Sequence, residues 1–366
     1  MNLGLIILFV FYWFIVCSVV GYGSILSKYF FKEGKNYNFG YLGFYGLIIL
    51  ILYSYIINLT FSLSLAHNLV LFLFGFVNFI FFVKKNFNTL NNKLNKFFLI
   101  FSILFIAILV SKTHDDFSYY HFPYTYNLIN NDLIVGIGTL NHGFRTPSSI
   151  FYFNSLLYLP FINYNLFHLT PILFLGFANF ILIEFIFKNL NRSNYIFLLS
   201  LLAFGFINIF FYRISEHGTD RSALIVLFLI VIEIIILING KFIDQKKINN
   251  VILLIALTIT LKAFYFLYLV ILIPIFLYLV KQTKIYNALK LLFFRKSVLI
   301  LSLMCLMVLF VNILNTGCAL YPVHFTCLNN FSWTISKEEV VLMNNWYEQW
   351  SKAGASPNFR VEDPEN

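Results

Sequence analysis

Residues 251–280, VILLIALTIT LKAFYFLYLV ILIPIFLYLV, are thirty positions carrying a single charge, Lys262. A hydrocarbon layer is crossed by about 20 helical residues, so the run is too long for one comfortable span. Split at Lys262, it supplies two short ones, and that choice sets the direction of every helix around it. The rest of the chain makes lipid its solvent. Its 366 residues are 60% hydrophobic and 11% charged, with a mean hydropathy of +0.83, outside the range of soluble globular proteins. The net charge of +10 is assigned to membrane orientation, and no nucleic-acid partner is expected.

Hydropathy predicts further spans at roughly residues 3–22, 40–58, 66–83, 97–111, 166–187, 195–212, 222–239 and 297–314. Met1 to Gly21 has no basic leader and no small-residue cleavage site, so it is a span rather than a signal peptide. Five connections are basic: Lys28, Lys32 and Lys35; Lys84, Lys85, Lys93 and Lys96; Lys188 and Arg192; Lys241, Lys246 and Lys247; Lys281, Lys284, Lys290, Arg295 and Lys296. Together they hold 17 of the 25 basic residues. All five fall on the cytoplasmic side only if 251–280 crosses twice, with Lys262 at the outer turn, and if 149–162 does not cross. The expected fold is therefore an all-α polytopic bundle of about ten crossings with both termini outside. Segment 149–162, rich in Phe, Tyr and Leu, is expected to lie as a helix at the headgroup level. Of the 15 acidic residues, 11 then fall outside, with Glu33 and Asp244 inside and Glu184 and Glu233 within spans.

The organisation follows in three parts: N-terminal helices over 1–96, a membrane module over 97–316 with an outer loop at 112–165, and an outer segment over 317–366. Cys17 and Cys305 lie in spans and read as packing residues. Cys318 and Cys327 share a short segment on the oxidising side, where a disulfide is expected. Two thiols with His324 could instead hold a metal, but no fourth ligand is spaced to help. Beyond Trp333 the composition turns polar without a closing apolar element, so the chain is expected to be a fragment or truncation of a protein with an outer C-terminal domain.

The polar residues cluster in the outer segments. Thr113-His114-Asp115-Asp116-Phe117-Ser118-Tyr119-Tyr120-His121 puts two carboxylates and two histidines directly after a span, where charge is costly and by default functional. A helix cap at Thr113 or Asp115 would explain one of these residues, not all four. Asp115 and Asp116 offer a general base for a hydroxyl, or oxygen ligands for a divalent cation such as Mg or Mn completed by substrate phosphate. Tyr120 and its aromatic neighbours could stack on a sugar or rest at the interface. Arg145, in Asn141-His142-Gly143-Phe144-Arg145, suits a phosphate, a carboxylate or a lipid headgroup. The connection Arg213 to Arg221 carries Glu216, His217 and Asp220 besides both arginines; it either bridges internally or brings Glu216 or Asp220 beside Asp115 and Asp116, with Arg213 or Arg221 on a phosphate. Lys262 either binds substrate at that depth or snorkels to the interface. Glu233 is either structural or a relay.

In this order the pattern resembles the GT-C superfamily of integral-membrane glycosyltransferases. The carriers of the likeness are Asp115-Asp116 after a span and the aromatic juxtamembrane segment around Phe151-Tyr152-Phe153, within residues 97–335; the acidic motif with the stretches His142-Gly143-Phe144-Arg145 and Cys318 to Cys327 is similar, more closely, to bacterial envelope proteins. The resemblance implies a bacterial inner-membrane enzyme whose outward-facing site moves a sugar from a polyprenyl-phosphate carrier to an envelope glycan, lipid or protein. Its substrates would be lipid-linked sugars, its surroundings membrane lipids. It implies Asp115 and Asp116 as the acidic pair of the site; the polar clusters themselves add Glu216 and Asp220 as expected catalytic carboxylates, Asp115 and Asp116 as expected metal ligands, and His114, Tyr120, His121, Arg145, Arg213, His217, Arg221 and Lys262 as expected substrate contacts. The pattern departs from the superfamily in placing the acidic loop after the fourth span rather than the first, and in lacking a full C-terminal domain. A flippase or exporter of a lipid-linked or anionic substrate would show related halves, and no internal repeat is visible. A polysaccharide polymerase or ligase is a further alternative, though such enzymes resemble a pattern of outer arginines without paired carboxylates.

Overall fold

The computed structural model describes residues 3–30, 37–110, 116–190, 195–210, 218–240, 242–328 and 330–354. Its helices are α1 (Leu3–Phe30), α2 (Phe39–Asn58), α3 (Leu65–Leu109), α4 (Phe122–Asn130), α5 (Ser149–Leu156), α6 (Leu169–Asn189), α7 (Tyr195–Phe210), α8 (Thr219–Ile238), α9 (Gln245–Leu261), α10 (Leu272–Gln282), α11 (Ile285–Phe293), α12 (Lys296–Thr316) and α13 (Lys337–Lys352). A 3-10 segment, Ala263–Ile271, runs into α10. Among the described residues, seven helices are long and apolar enough to cross a membrane: α1, α2, α3, α6, α8, Ala263–Gln282 and α12. The protein is a helical membrane bundle.

One of the seven is not a simple rod. The 45 residues of α3 would reach about 68 Å if straight, twice a hydrocarbon layer. The backbone leaves helical geometry at Asn86 (φ −118°, ψ 19°), and the rings of Phe79 and Phe97 meet at 6.5 Å. Eighteen residues of straight helix would hold them about 27 Å apart. Helix α3 therefore folds back on itself, and α1 packs against both arms: Tyr12 donates to the Phe101 carbonyl at 2.6 Å, and Ser18 to the Phe72 carbonyl at 2.8 Å. A Cβ at Gly21 would stand 1.9 Å from the Gly75 carbonyl oxygen, so α1 and the first arm approach as closely as small residues permit.

The 251–280 run breaks at Lys262, whose backbone is extended (φ −165°, ψ 143°), and the 3-10 segment packs back against α9. Every residue from Val251 to Leu261 is buried, which makes α9 a central helix, in contact with α2, α5, α8 and α12.

Basic groups gather at one end of the bundle. Lys93 donates to the Tyr37 carbonyl at 2.6 Å, Lys96 lies 3.3 Å from Glu184, Arg295 donates to Asn249 at 3.1 Å, and Lys296 sits 3.7 Å over the Tyr29 ring. At the opposite end Leu63 N–H donates to the Leu128 carbonyl at 2.9 Å, Leu133 N–H to the Asn58 carbonyl at 2.8 Å and Gly136 N–H to the Leu314 carbonyl at 2.7 Å. These bonds lay the 116–148 loop over the ends of α2 and α12.

One expectation is corrected. The helix of segment 149–162 is not exposed as an interfacial helix would be: all eight residues of α5 are buried, between α2, α4, α6 and α9. An eight-residue helix apolar on every side belongs in a core, and its few polar atoms find partners there. Ser149 accepts from Thr260 at 2.9 Å, the Ser155 carbonyl accepts from Asn68 at 2.8 Å, and Asn154 accepts from Thr170. Beyond Asn315 the described residues up to 354 form a cap on the bundle. Ile335 N–H donates to the Thr316 carbonyl at 3.1 Å and the Trp333 indole to the Ile313 carbonyl at 3.1 Å. Cys318 and Cys327 are joined by a disulfide across an antiparallel bridge. Cys318, Tyr321, Ile335 and Val340 form a small core of the cap, and Ser336 starts α13 by accepting from the Glu339 N–H at 3.3 Å.

Candidate functional site

The site sits between the loop, the starts of α8 and of the 3-10 segment, and the cap. Its first wall is a π-helical turn, Phe117–His121, leading into α4. Pro123 lies in the first turn of α4 and has no N–H to give to the carbonyl four residues back. That carbonyl, of Tyr119, accepts instead from the Asn141 side chain at 3.2 Å. Asn141 accepts in turn from Gly143 N–H at 2.8 Å. A Cβ at Gly143 would stand 2.3 Å from the Tyr120 side chain, so glycine lets the His142–Arg145 turn lie flat on that ring. The π-turn and the 141–145 turn thus fix Tyr120 together.

Asp116 precedes the π-turn and makes no capping bond to it; its Oδ2 accepts from the Tyr120 hydroxyl at 3.4 Å. Burial, then the Asp116 carboxylate, with smaller pushes from Tyr347 and Asp220, hold the Tyr120 phenol well above its ordinary range. Tyr120 is therefore a protonated donor, and its phenol lies within electrostatic reach of carboxylates from two loops and of a tyrosine from the cap. Burial and the neighbouring Tyr321 push Tyr347 up to about 12, against the lowering influence of Arg145, and Asp116 adds to the rise.

On the far side, Asp220 lies in the first turn of α8. Its Oδ1 accepts from the Tyr265 hydroxyl at 2.6 Å, and Lys262 Nζ stands 3.3 Å from its Oδ2. Asp116, Tyr120, Asp220, Lys262, Tyr265 and Tyr347 thus gather at one end of the bundle, away from the lysine-rich end. Arg221, the next residue of α8, is half-buried.

Two expected substrate contacts are placed differently. Arg145 is 5% exposed, and its nitrogens are taken by the protein: Nε donates to the Gly138 carbonyl at 2.9 Å, Nη1 to the Tyr321 hydroxyl at 3.2 Å, and Nη2 to Glu339 at 2.8 Å. Burial works against its charge, but the bonds to Tyr321 and Glu339 outweigh that and raise its pKa. It is a strut between loop and cap. His121 is buried, its ring 4.3 Å from that of Tyr120 and 5.0 Å from that of Phe151, and it backs Tyr120 from within. His114, Asp115, Arg213, Glu216 and His217 lie outside the described residues. Among the described residues no three His, Cys, Asp or Glu side chains stand together as metal ligands, so a divalent cation at Asp116 would need Asp115 and substrate oxygens to complete it.

Sequence reasoning missed Tyr265, Tyr268, Tyr347, Tyr321 and Glu339. A second polar cluster lies deeper: Glu233, 2% exposed, accepts from the Tyr41 hydroxyl, while Tyr45 donates to Asn250.

No curated protein and no solved structure matches this chain. Residues 4–360 match a family described as a domain of unknown function, DUF8201. The helices that precede the acidic loop, the loop itself and the cap all fall within that match, and the chain belongs to the DUF8201 family.

Proposed function

We propose that this protein is a GT-C-like membrane glycosyltransferase that moves a sugar from a polyprenyl-phosphate carrier to an envelope acceptor on the outer side of a bacterial inner membrane. The chain crosses ten times with both termini outside. The fold-back of α3, the break at Lys262 and the gathering of lysines at one end support that count and orientation. The observation that carries the reading is geometric: Asp116 accepts from the Tyr120 hydroxyl, and Asp220, about a hundred residues further on, accepts from Tyr265 beside Lys262; besides burial, both carboxylates help to raise the Tyr120 pKa.

An outward site has no access to cytosolic nucleotide sugars, so its activated donor arrives as a lipid. Asp116 takes the proton of an acceptor hydroxyl as that oxygen bonds to the anomeric carbon. The bond from that carbon to the lipid phosphate breaks, and Lys262 stabilises the departing phosphate. Asp115 and Asp116 are the pair on which Mg or Mn would sit, completed by phosphate oxygens, and such an ion would add charge stabilisation. The experiment is transfer of a radiolabelled sugar from a polyprenyl-phosphate sugar by the purified protein in lipid. Labelled product from wild type and none from Asp116→Asn is expected. No product from the wild-type protein across donor sugars and envelope acceptors would overturn the reading.

A further inference from the structure

The chain leaves α9 extended at Lys262 and winds nine residues, Ala263–Ile271, as a 3-10 helix, although such runs rarely exceed three or four residues. Three residues per turn makes positions three apart eclipse. One resulting column is Phe264, Leu267 and Val270, which are 63%, 62% and 60% exposed and face the surroundings of the bundle, here hydrocarbon. The column beside it holds Tyr265 and Tyr268, and Lys262 immediately precedes the first turn. Lys262 Nζ lies 3.4 and 3.3 Å from the two Asp220 oxygens, the Tyr265 hydroxyl donates to Asp220 at 2.6 Å, and the Tyr265 and Tyr268 rings are 5.1 Å apart. An α-helix would rotate such a column by about 60° at each step and scatter it. The 3-10 winding keeps the two phenols in line next to the exposed apolar strip, and Lys262 joins them through the Asp220 carboxylate that it shares with Tyr265.

We propose that this column is a lateral port for the phosphate of a polyprenyl-phosphate lipid, and that Asp220 is its built-in competitor. The lipid chain lies along Phe264, Leu267 and Val270 while its phosphate reaches Lys262 and Tyr268. Lys262 is then handed from Asp220 to the phosphate. Side chains 43% and 57% exposed form a weak bridge, and a phosphate offers the ammonium more charge than one carboxylate does. Tyr265 stays on Asp220 and holds it in place once Lys262 has left. Donor binding thus exchanges one partner of Lys262 for another and leaves the Asp220–Tyr265 bond in place. The proposal rests on the lipid-linked donor of the preceding reading and names where its phosphate docks and what it displaces.

The test is binding without transfer. Wild-type protein in phosphatidylcholine nanodiscs is titrated with undecaprenyl phosphate, undecaprenol or phosphatidic acid, and bound lipid is counted by native mass spectrometry. Undecaprenyl phosphate should bind and undecaprenol should not. Lys262→Gln should weaken binding about tenfold or more, and Tyr268→Phe should weaken it less. Asp220→Asn should tighten it severalfold, because the competitor and its negative charge are gone. Weaker or unchanged binding by Asp220→Asn, or undiminished binding by both Lys262→Gln and Tyr268→Phe, would overturn the port. Phosphatidic acid competing as well as undecaprenyl phosphate would identify a general headgroup site and overturn the polyprenyl assignment. No sugar is transferred in this assay, so its failure is separate from failure of the glycosyltransferase reading.

Discussion

Arg145 donates to Glu339 at 2.8 Å from a side chain that is 5% exposed, and this bond ties the outer loop to the cap. The other guanidinium nitrogens hold the Gly138 carbonyl in the loop and the Tyr321 hydroxyl in the cap. Arg145→Ala is expected to cost the docked cap about 1.5–3 kcal/mol, the range for hydrogen bonds to charged groups. Glu339→Gln keeps an acceptor at the more exposed end and should cost about 1 kcal/mol. Limited proteolysis in lipid reads the difference: the 330–354 region should become cleavable in Arg145→Ala while the bundle stays intact. Equal protection of that region in wild type and Arg145→Ala would show that the strut bears no load.

Orientation has a direct test. Asn131 and Asn91 are both exposed, one in the loop at the site end and one in α3 near the lysine-rich end. With Cys17 and Cys305 replaced by alanine, a membrane-impermeant maleimide should label Asn131→Cys in intact cells and reach Asn91→Cys only after lysis. The reverse pattern would put the site in the cytoplasm, where nucleotide sugars are available, and remove the argument for a lipid donor.

Apolar runs bounded by lysine are legible without a structure. The expected spans 40–58, 222–239 and 297–314 correspond to Phe39–Asn58, Thr219–Ile238 and Lys296–Thr316. Helix α5 was not legible, because whether Ser149, Asn154 and Ser155 can be buried depends on partners such as Thr260, 111 positions away. In the site, Asp116, Asp220 and Lys262 stand out as charges in an apolar chain. Tyr265, Tyr268 and Tyr347 do not, since a sequence with 23 Tyr and 47 Phe gives no reason to single out any one ring. Arg145 was visible as a group suited to a phosphate or a carboxylate, but its use as a strut to Glu339 depends on a cap whose packing the polar tail does not announce.

Glu233 and the Tyr41 hydroxyl make a buried pair with Tyr45 and Asn250 nearby. Glu233→Gln retains an acceptor for Tyr41 and should be tolerated. Glu233→Leu strands that hydroxyl in the bundle, at about 1–3 kcal/mol. Thermal unfolding in detergent should rank the variants wild type, Gln, Leu in falling order, and equal midpoints for Gln and Leu would show that the hydroxyl finds another acceptor.

Alkaline pH should loosen the cap through Tyr347. An unfolded tyrosine ionises near pH 10, whereas burial and Tyr321 push Tyr347 up to about 12. Its contribution to cap stability is therefore complete below about pH 10 and falls as pH rises through about 12, because only the detached cap can release the proton in that window. The difference in phenolate absorbance between wild type and Tyr347→Phe should develop above pH 10, together with protease sensitivity of residues 330–354. A Tyr347 signal complete by pH 10 would mean that this phenol is solvated and does not hold the cap.

The chemical prediction centres on Asp116 and Tyr120. Asp116→Asn removes charge and basicity with little change in volume, and general-base catalysis contributes on the order of 10²–10⁴ in rate, so sugar transfer should fall by that factor with expression and membrane insertion unchanged. Tyr120→Phe removes one donor, 3.4 Å from Asp116, but leaves the ring that packs on Gly143 and His121. Its loss should be about tenfold, in turnover rather than in donor binding. Asp220→Asn should bind undecaprenyl phosphate more tightly, so any loss of transfer in that variant should lie in turnover rather than in donor binding. Transfer by Asp116→Asn within threefold of wild type would remove the base from this face of the bundle. The cluster of Asp116, Tyr120 and Asp220 would then read as a binding surface for a transported lipid rather than as a catalytic site.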